Sequence, residues 1–427
     1  MAVMEMHEYP VYEEMKDSGS GWIKLMPKSW ALIPLKYIFN IKKDIAGETG
    51  HIVLSVTQKG IVPKNMSSKG QFALDYSKYQ LVNVGDFVMN HMDLLTGWVD
   101  ISDYDGVTSP DYRVFVNEHP ERFISEYYKY IFQYCYTNRV FYGLGQGVAG
   151  FGRWRLPAEM FLNFSLPVPS CEEQAAIAAY LVDQCGKIDA LIAETKESIE
   201  EYKKWKQSII FEAVTKGLDP DVEMKDSGIE WIGKIPKSWT CCKQKHVIKL
   251  INGRAYKDSE FEENGKYPVL RVGNLFTNSK WYYSSLELDD EKYCNNGDLM
   301  YAWSASYGPY IWSGNKVIYH YHIWKTVLNE KLDKYFAYYY LIALSHDIAS
   351  ESHGSAMAHV TMERMNNSYI VFPNIDYQYK IVSFLNNKCA NIETLIYEKQ
   401  VLLSDLESYK RSLIYETVTG KRKVVAS

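Results

Sequence analysis

The sequence predicts a duplicated α/β protein: two mixed α/β domains, each closed by a long helix, with the helices packed along each other. Three observations predict it. Met15 to Trp30 (MKDSGSGWIKLMPKSW) recurs as Met224 to Trp239 (MKDSGIEWIGKIPKSW), with eleven of sixteen positions identical at an offset of 209. Pro169 to Thr215 recurs from Pro373 to Thr419 at an offset of 204. Between these echoes lie two stretches with little in common, about 31–166 and 240–370. The period is far longer than a solenoid repeat, so this is a duplicated domain pair and not an array. A repeated frame around two unlike inserts is what a chain needs to present two different binding surfaces. The division expected is 1–168, a first binding domain; 169–217, a central helical region; 218–371, a linker and second domain; and 372–427, a second helical region.

In chain order, Val53 to Val62, Phe87 to Asn90 and Val114 to Val116 have strand character, with Gly, Pro, Asn and Asp turns between them. Phe123 to Tyr136 is aromatic-rich and helix-like. A short helix opens at Glu172-Glu173-Gln174, after a proline and with acids suited to a helix N-terminus. A longer one follows. Ile188, Ile192, Thr195, Ile199, Tyr202, Lys206, Ile209 and Ala213 are spaced alternately by four and three residues. The same stripe recurs 204 residues on as Ile392, Ile396, Lys399, Leu403, Leu406, Lys410, Leu413 and Thr417, behind a second short helix at Asp376-Tyr377-Gln378. A 3.5-residue spacing draws a narrow seam along each helix, the pattern for two long helices in mutual contact. Lys206 and Lys410 interrupt that seam at equivalent positions and are suited to fixing register. Lys216-Gly217-Leu218-Asp219-Pro220 stops the first long helix. In the second insert Tyr267 to Val272, Asp298 to Trp303 and Lys316 to Trp324 read as strands, and Tyr335 to Ala349 as a helix.

Composition narrows the class. A chain of 427 residues is too long for one core. It has no run of about 18 apolar residues and an acidic, polar start, so neither a membrane span nor a signal peptide is expected. The seven cysteines form no CxxC pair, which points to reduced thiols and a cytoplasmic setting. The net charge of −5 argues against nucleic acid, but its distribution argues for it. Residues 49–74, 131–158, 264–286 and 299–329 contain no acid, yet each carries lysine or arginine. Local basic surface, not net charge, sets affinity for phosphate.

At these residues the chain resembles the specificity subunit of a type I restriction–modification system. The repeated MKDSGIEWIGKIPKSW frame and the Pro-Glu/Asp-…-Gln-…-Ile helix with its long continuation carry the resemblance over nearly the whole chain. Within the inserts, LSVTQKG (Leu54 to Gly60), GDFVMN (Gly85 to Asn90), DGVTSPDY (Asp105 to Tyr112) and GRWRL (Gly152 to Leu156) resemble one type of target recognition domain. GDLMYAWSASYGP (Gly297 to Pro309), YHYHIWK (Tyr319 to Lys325) and GSAMAHVT (Gly354 to Thr361) resemble another. The resemblance implies a pseudo-two-fold chain in which two long antiparallel helices, packed as a coiled coil, separate the recognition domains. Each domain reads half of an asymmetric bipartite site in double-stranded DNA. The helices set the spacer and dock two modification subunits, and restriction subunits join through the complex. This chain itself is expected to bind no cofactor and no metal and to catalyse nothing, with SAM, ATP and Mg belonging to the partner subunits.

Motifs that compete with this reading are weak. Gly145-Gln146-Gly147-Val148-Ala149-Gly150 fits GxGxxG, but Pro157 stands where the phosphate-binding helix should be running. Asp221 and Glu223 fall in the interdomain linker, and Ser109-Pro110-Asp111-Tyr112 lacks both a leading Asn or Asp and a companion SAM loop. His320 and His322 alternate on an expected strand face without a third ligand at metal spacing. The base-reading candidates are Gln58, Lys59, Asn90, Arg153 and Arg155 in the first domain. In the second they are Arg271, Asn274, Ser306, His320, His322, Lys325, Ser355 and His359. Arg and Lys suit guanine O6/N7, and Asn and Gln suit adenine N6/N7, in the major groove. Two rival readings stay open: a helical adaptor with two domains that bind something other than DNA, and a single-chain DNA methyltransferase or nuclease.

Overall fold

The computed structural model describes residues 10–65, 75–147, 154–276, 280–304, 307–351 and 360–424. The chain forms two compact units. The first comprises Met1–Thr195 with Val401–Ser427, the second Lys196–Gln400. Each unit therefore takes the start of one long helix and the end of the other.

The repeated motif folds the same way in both units, because the same side chains tie it down. Met15–Asp17 pairs antiparallel with Leu25–Pro27, and Met224–Asp226 with Lys234–Pro236. Asp17 and Asp226 each accept a bond from the backbone N–H two residues on, closing the turn. Lys16 and Lys225 donate to the carbonyls of Trp30 and Trp239. The next strand pairs with the one that ends the insert, Ala31–Pro34 with Ser165–Val168 and Thr240–Lys243 with Tyr369–Phe372.

Above this frame the inserts differ. The first carries a four-stranded antiparallel sheet, in the order Phe39–Lys42, Arg113–Asn117, Phe87–Met89, Val99–Ile101. Helix Ser125–Thr137 packs behind it. Phe39 meets Phe87, Phe115, Tyr128 and Phe132 edge-on at centroid distances of 5.3–5.6 Å, the geometry aromatic rings prefer. The second insert carries a comparable sheet, Ile248–Asn252, Ile323–Leu328, Leu299–Ala302, Gly308–Ile311, and helix Lys334–Glu351. It adds a second four-stranded sheet in which Tyr267–Leu270 and Val317–Tyr319 run parallel.

Three local expectations are corrected. Val53 to Val62 is a hairpin, Leu54–Thr57 against Gly60–Pro63, turning at Gln58 and Lys59 where Gly60 takes φ +106°. Lys316 to Trp324 is two strands, Val317–Tyr319 and Ile323–Leu328, in different sheets. The chain turns between them because Ile323 N–H donates back to the His320 carbonyl. The short helices expected before each long one are continuous with it: Cys171–Thr215 is one helix of 45 residues and Ile375–Val418 one of 44. Gly186 lies inside the first without ending it, since an interior glycine costs only about 1 kcal/mol.

The predicted stripe is the buried face. All sixteen of its residues are buried or half-buried, and most residues between them are exposed. Its lysines make equivalent ion pairs across the two helices. Lys410 reaches Asp189 at 2.6 Å in the first unit, and Lys206 reaches Glu393 at 2.5 Å in the second. Both units also use a fully buried glutamine near the helix start. Gln174 accepts from Ile124 N–H and donates to the Arg122 and Pro169 carbonyls, while Gln378 accepts from Asp333 N–H and donates to the Lys331 and Pro373 carbonyls. Each glutamine thus fixes the insert's own helix to the long helix.

Candidate nucleic-acid interface

In the first unit, strand Phe87–Met89 is fully buried and delivers Asn90 and His91 to the end of the sheet. Leu156 N–H donates to the His91 carbonyl at 2.9 Å, and Gln146 and Arg155 exchange backbone bonds of 2.9 and 3.1 Å. Trp154 locks this segment by donating its indole N–H to the Tyr142 carbonyl at 2.8 Å. Gly145 is required there, since a Cβ would lie 2.3 Å from the Trp154 Nε1. The result is a cavity of about 720 Å³ whose wall includes Lys43, His91, Asp111, Arg113, Gln146 and Arg155. Burial first, and then the charges of Arg113, Arg155 and Lys43, push the His91 imidazole down to about 4. Arg113 is 5% exposed, donates from Nη2 to the Leu156 carbonyl at 2.9 Å and lies over the Phe161 ring at 4.7 Å.

Of the first-domain candidates, Arg155 is exposed on this cavity. Gln58 and Lys59 are exposed at the hairpin tip and are not part of the cavity wall. Asn90 is half-buried and holds the local turn, its Oδ1 accepting from Met92 N–H and its carbonyl from the Tyr136 hydroxyl. Arg153 lies outside the described residues. Arg113, His91 and Lys43 were missed by sequence reasoning. Arg113 opens a Val-Phe-Val strand and reads as scaffold.

In the second unit, the turn after Val317–Tyr319 gathers rings. His322 packs at 4.8 Å from His320, 4.0 Å from Tyr321 and, edge-on, 4.9 Å from Trp303. The two histidines therefore occupy a turn and not one strand face, a correction that follows from the chain reversal described above. Tyr321 remains exposed at the tip, while Trp303 donates its indole N–H to the Tyr321 carbonyl at 2.7 Å. Burial, then His322 and Arg271, push His320 down to about 4. Arg271 is exposed, with its guanidinium 5.0 Å from the Tyr282 ring centroid. This turn offers π-faces and an arginine, a combination suited to stacking and to guanine edges.

Two candidates are engaged inside the fold. Lys325 pairs with Asp298 at 2.7 Å and donates to the Tyr293 carbonyl. Asn274 accepts from Arg271 N–H and donates to the Lys280 carbonyl. Both side chains are occupied in holding loops. Ser306, Ser355 and His359 lie outside the described residues. No group of three or more His, Cys, Asp or Glu side chains placed to hold a metal occurs among the described residues. No helix there is long and apolar enough to cross a membrane.

A family model, the type I restriction modification DNA specificity domain, matches twice, over residues 27–201 and 236–402. The chain belongs to this family. Each specificity-domain match takes in one insert and the first part of the long helix that follows it. The chain is similar to the type I restriction enzyme MjaVIII specificity subunit of Methanocaldococcus jannaschii, 26% identical over 296 residues, 64% of this chain and 66% of that one. It thus spans just under two thirds of that relative. The putative type I restriction enzyme MjaX specificity subunit of the same organism is 22% identical over 365 residues, 82% of this chain and 81% of the relative. Among solved structures, a chain from a study of complex assembly and conformational transition in a type I R-M system shares the fold. Its TM-score is 0.70 at 15% identity, covering 92% of this chain and 99% of that one.

Proposed function

We propose that this member of the specificity family is the DNA-reading subunit of a type I restriction–modification complex. Each recognition domain reads one half of an asymmetric bipartite site in double-stranded DNA, and the long helices set the spacer. The single observation that carries this reading is the specificity domain occurring twice, with a repeated frame around two unlike inserts. By itself the chain is non-catalytic. Two modification subunits dock on its helices and bring SAM, and restriction subunits joining through the complex bring ATP and Mg. The assembly works in the cytoplasm.

The chemistry of reading divides between the units. The first presents exposed Gln58 and Lys59 at a hairpin tip and Arg155 beside a cationic cavity. The second presents a ring-lined turn around His320, Tyr321 and His322, and Arg271. Phosphate contacts fix position and base-edge contacts carry sequence, so each unit needs both kinds of group.

Selection of the purified full chain on a random duplex library tests this. The expected result is one motif of two blocks at fixed spacing. Replacing 240–370 with the insert of another family member then changes one block and leaves the other. Both blocks changing, or no motif emerging, defeats the reading. The pure chain supplied with SAM is expected to transfer no methyl group to that motif.

A further inference from the structure

The cavity beneath Arg155 holds a buried charge that the fold leaves incomplete. Arg113 has one carbonyl acceptor and one ring face. Its Nη1, closed off from solvent, has no hydrogen-bond partner among the described residues. The neighbouring Nδ1 of His91 is likewise buried without a partner there. Burial and Tyr136 are what act on the Arg113 charge, with no carboxylate among them, although Asp111 stands on the same wall. Lys43 and Arg155 add further positive charge. A guanidinium taken out of water with a donor unmade is costly, and a well-packed apolar side chain is ordinarily the better tenant. Burial pushes Arg113 down to about 10, still far above neutral pH, so its charge stays. The surroundings are poised for an anion. They do not suit a cation, since one carboxylate faces two lysine or arginine heads beside Arg113.

We propose that this cavity seats a backbone phosphate of the bound DNA, held by the exposed Arg155 and Lys43 over the buried charge of Arg113. The proposal rests on the DNA-reading function above and deepens it. A phosphate supplies the counter-charge this cationic wall lacks and acceptors for the exposed Arg155 and Lys43 heads, and the arginine fork suits its geometry. The Gln146–Arg155 bridge and the Trp154 indole bond to the Tyr142 carbonyl hold the backbone that carries Arg155. A phosphate contact fixes where the domain sits on the duplex without reading a base.

The full chain is titrated with its selected duplex and with a scrambled duplex over a range of salt concentrations. Arg155→Gln, an exposed change, is expected to reduce the salt slope by about one and to weaken both duplexes by the same factor. Arg113→Met, of similar volume, is expected to weaken binding about tenfold, with a thermal melt confirming its folding. Duplexes carrying a single neutral methylphosphonate linkage locate the contact. At one linkage the wild-type chain loses affinity, and Arg155→Gln loses no more. Wild-type salt slopes in Arg155→Gln, or additive losses at every linkage, overturn the seat even if Arg113→Met does not fold. Relaxed preference at one base, with the slope unchanged, assigns base reading instead. Thermal protection by inorganic phosphate that Arg155→Gln abolishes, with DNA slopes unchanged, assigns the cavity to free phosphate. Absence of any DNA binding by the wild-type chain defeats the functional reading itself, a distinct outcome.

Discussion

At the scale of single residues, His91 and His320 are held neutral by burial and by nearby cationic groups, and that sets a pH dependence. Each is pushed from 6.5 to about 4. The unfolded chain therefore binds protons at these sites between about pH 6.5 and 4, and the folded chain does not. Stability is full above that window and falls as pH drops through it, by on the order of 2 kcal/mol per histidine after allowance for partial exposure. Denaturant midpoints of the full chain at pH 7 and pH 5 measure this loss, and His91→Gln with His320→Gln is expected to shrink it. An unchanged loss in the double variant sinks the assignment. Residue roles were the least legible layer. Lys325 and Asn274 carry the right chemistry for base contact, but their partners Asp298 and Lys280 cannot be known from composition. Arg113 was invisible for the opposite reason: inside Arg-Val-Phe-Val it looks like the start of an ordinary strand, and only the folded sheet shows its head buried beside His91.

Elements were more legible because periodicity is a property of one segment. The alternating stripe lies on the packed side of both long helices, since a heptad repeat leaves little freedom about which side packs, but buried Ile210, Val214, Ile414 and Val418 fall outside it. The lysines in that stripe were readable as interruptions, but their acids were not. Asp189 and Glu393 are themselves related by the repeat offset, so the two cross-helix pairs are one interaction made twice. Lys206→Glu sets like charges together and is expected to lower thermal stability by about 0.5–1 kcal/mol, the scale of a part-exposed pair. Adding Glu393→Lys restores the attraction and should recover most of the loss. A double variant no more stable than the single one shows that Lys206 does not act through Glu393. Strand boundaries were less legible. The hairpin at Gln58-Lys59 and the turn at His320 to His322 were hidden inside apolar runs, where length alone does not separate one strand from two.

At the scale of the whole molecule, duplication was the clearest signal, and it also shows why lengths should matter. The two long helices, at 45 and 44 residues, each extend roughly 66 Å at 1.5 Å per residue. That is longer than the heptad stripes alone suggested, because the helix that docks each insert through Gln174 or Gln378 is the same rod that carries the seam. A recognition domain fastened to such a rod cannot slide along it. If the rods measure the spacer, lengthening both should move the half-sites apart and leave their bases unchanged. Four residues inserted between Glu194 and Tyr202, and four between Glu398 and Leu406, add about 6 Å to each helix. The four-residue step advances the seam by only about 40°, so the stripe still faces its partner. At about 3.4 Å per base pair the spacer should widen by one or two base pairs. Two-residue insertions rotate the seam by about 200° and should abolish binding, because Lys206 and Lys410 then leave their acids. Duplexes with graded spacers decide it. A four-residue variant that keeps the original spacing shows that the helices hold the domains without measuring the distance between their targets.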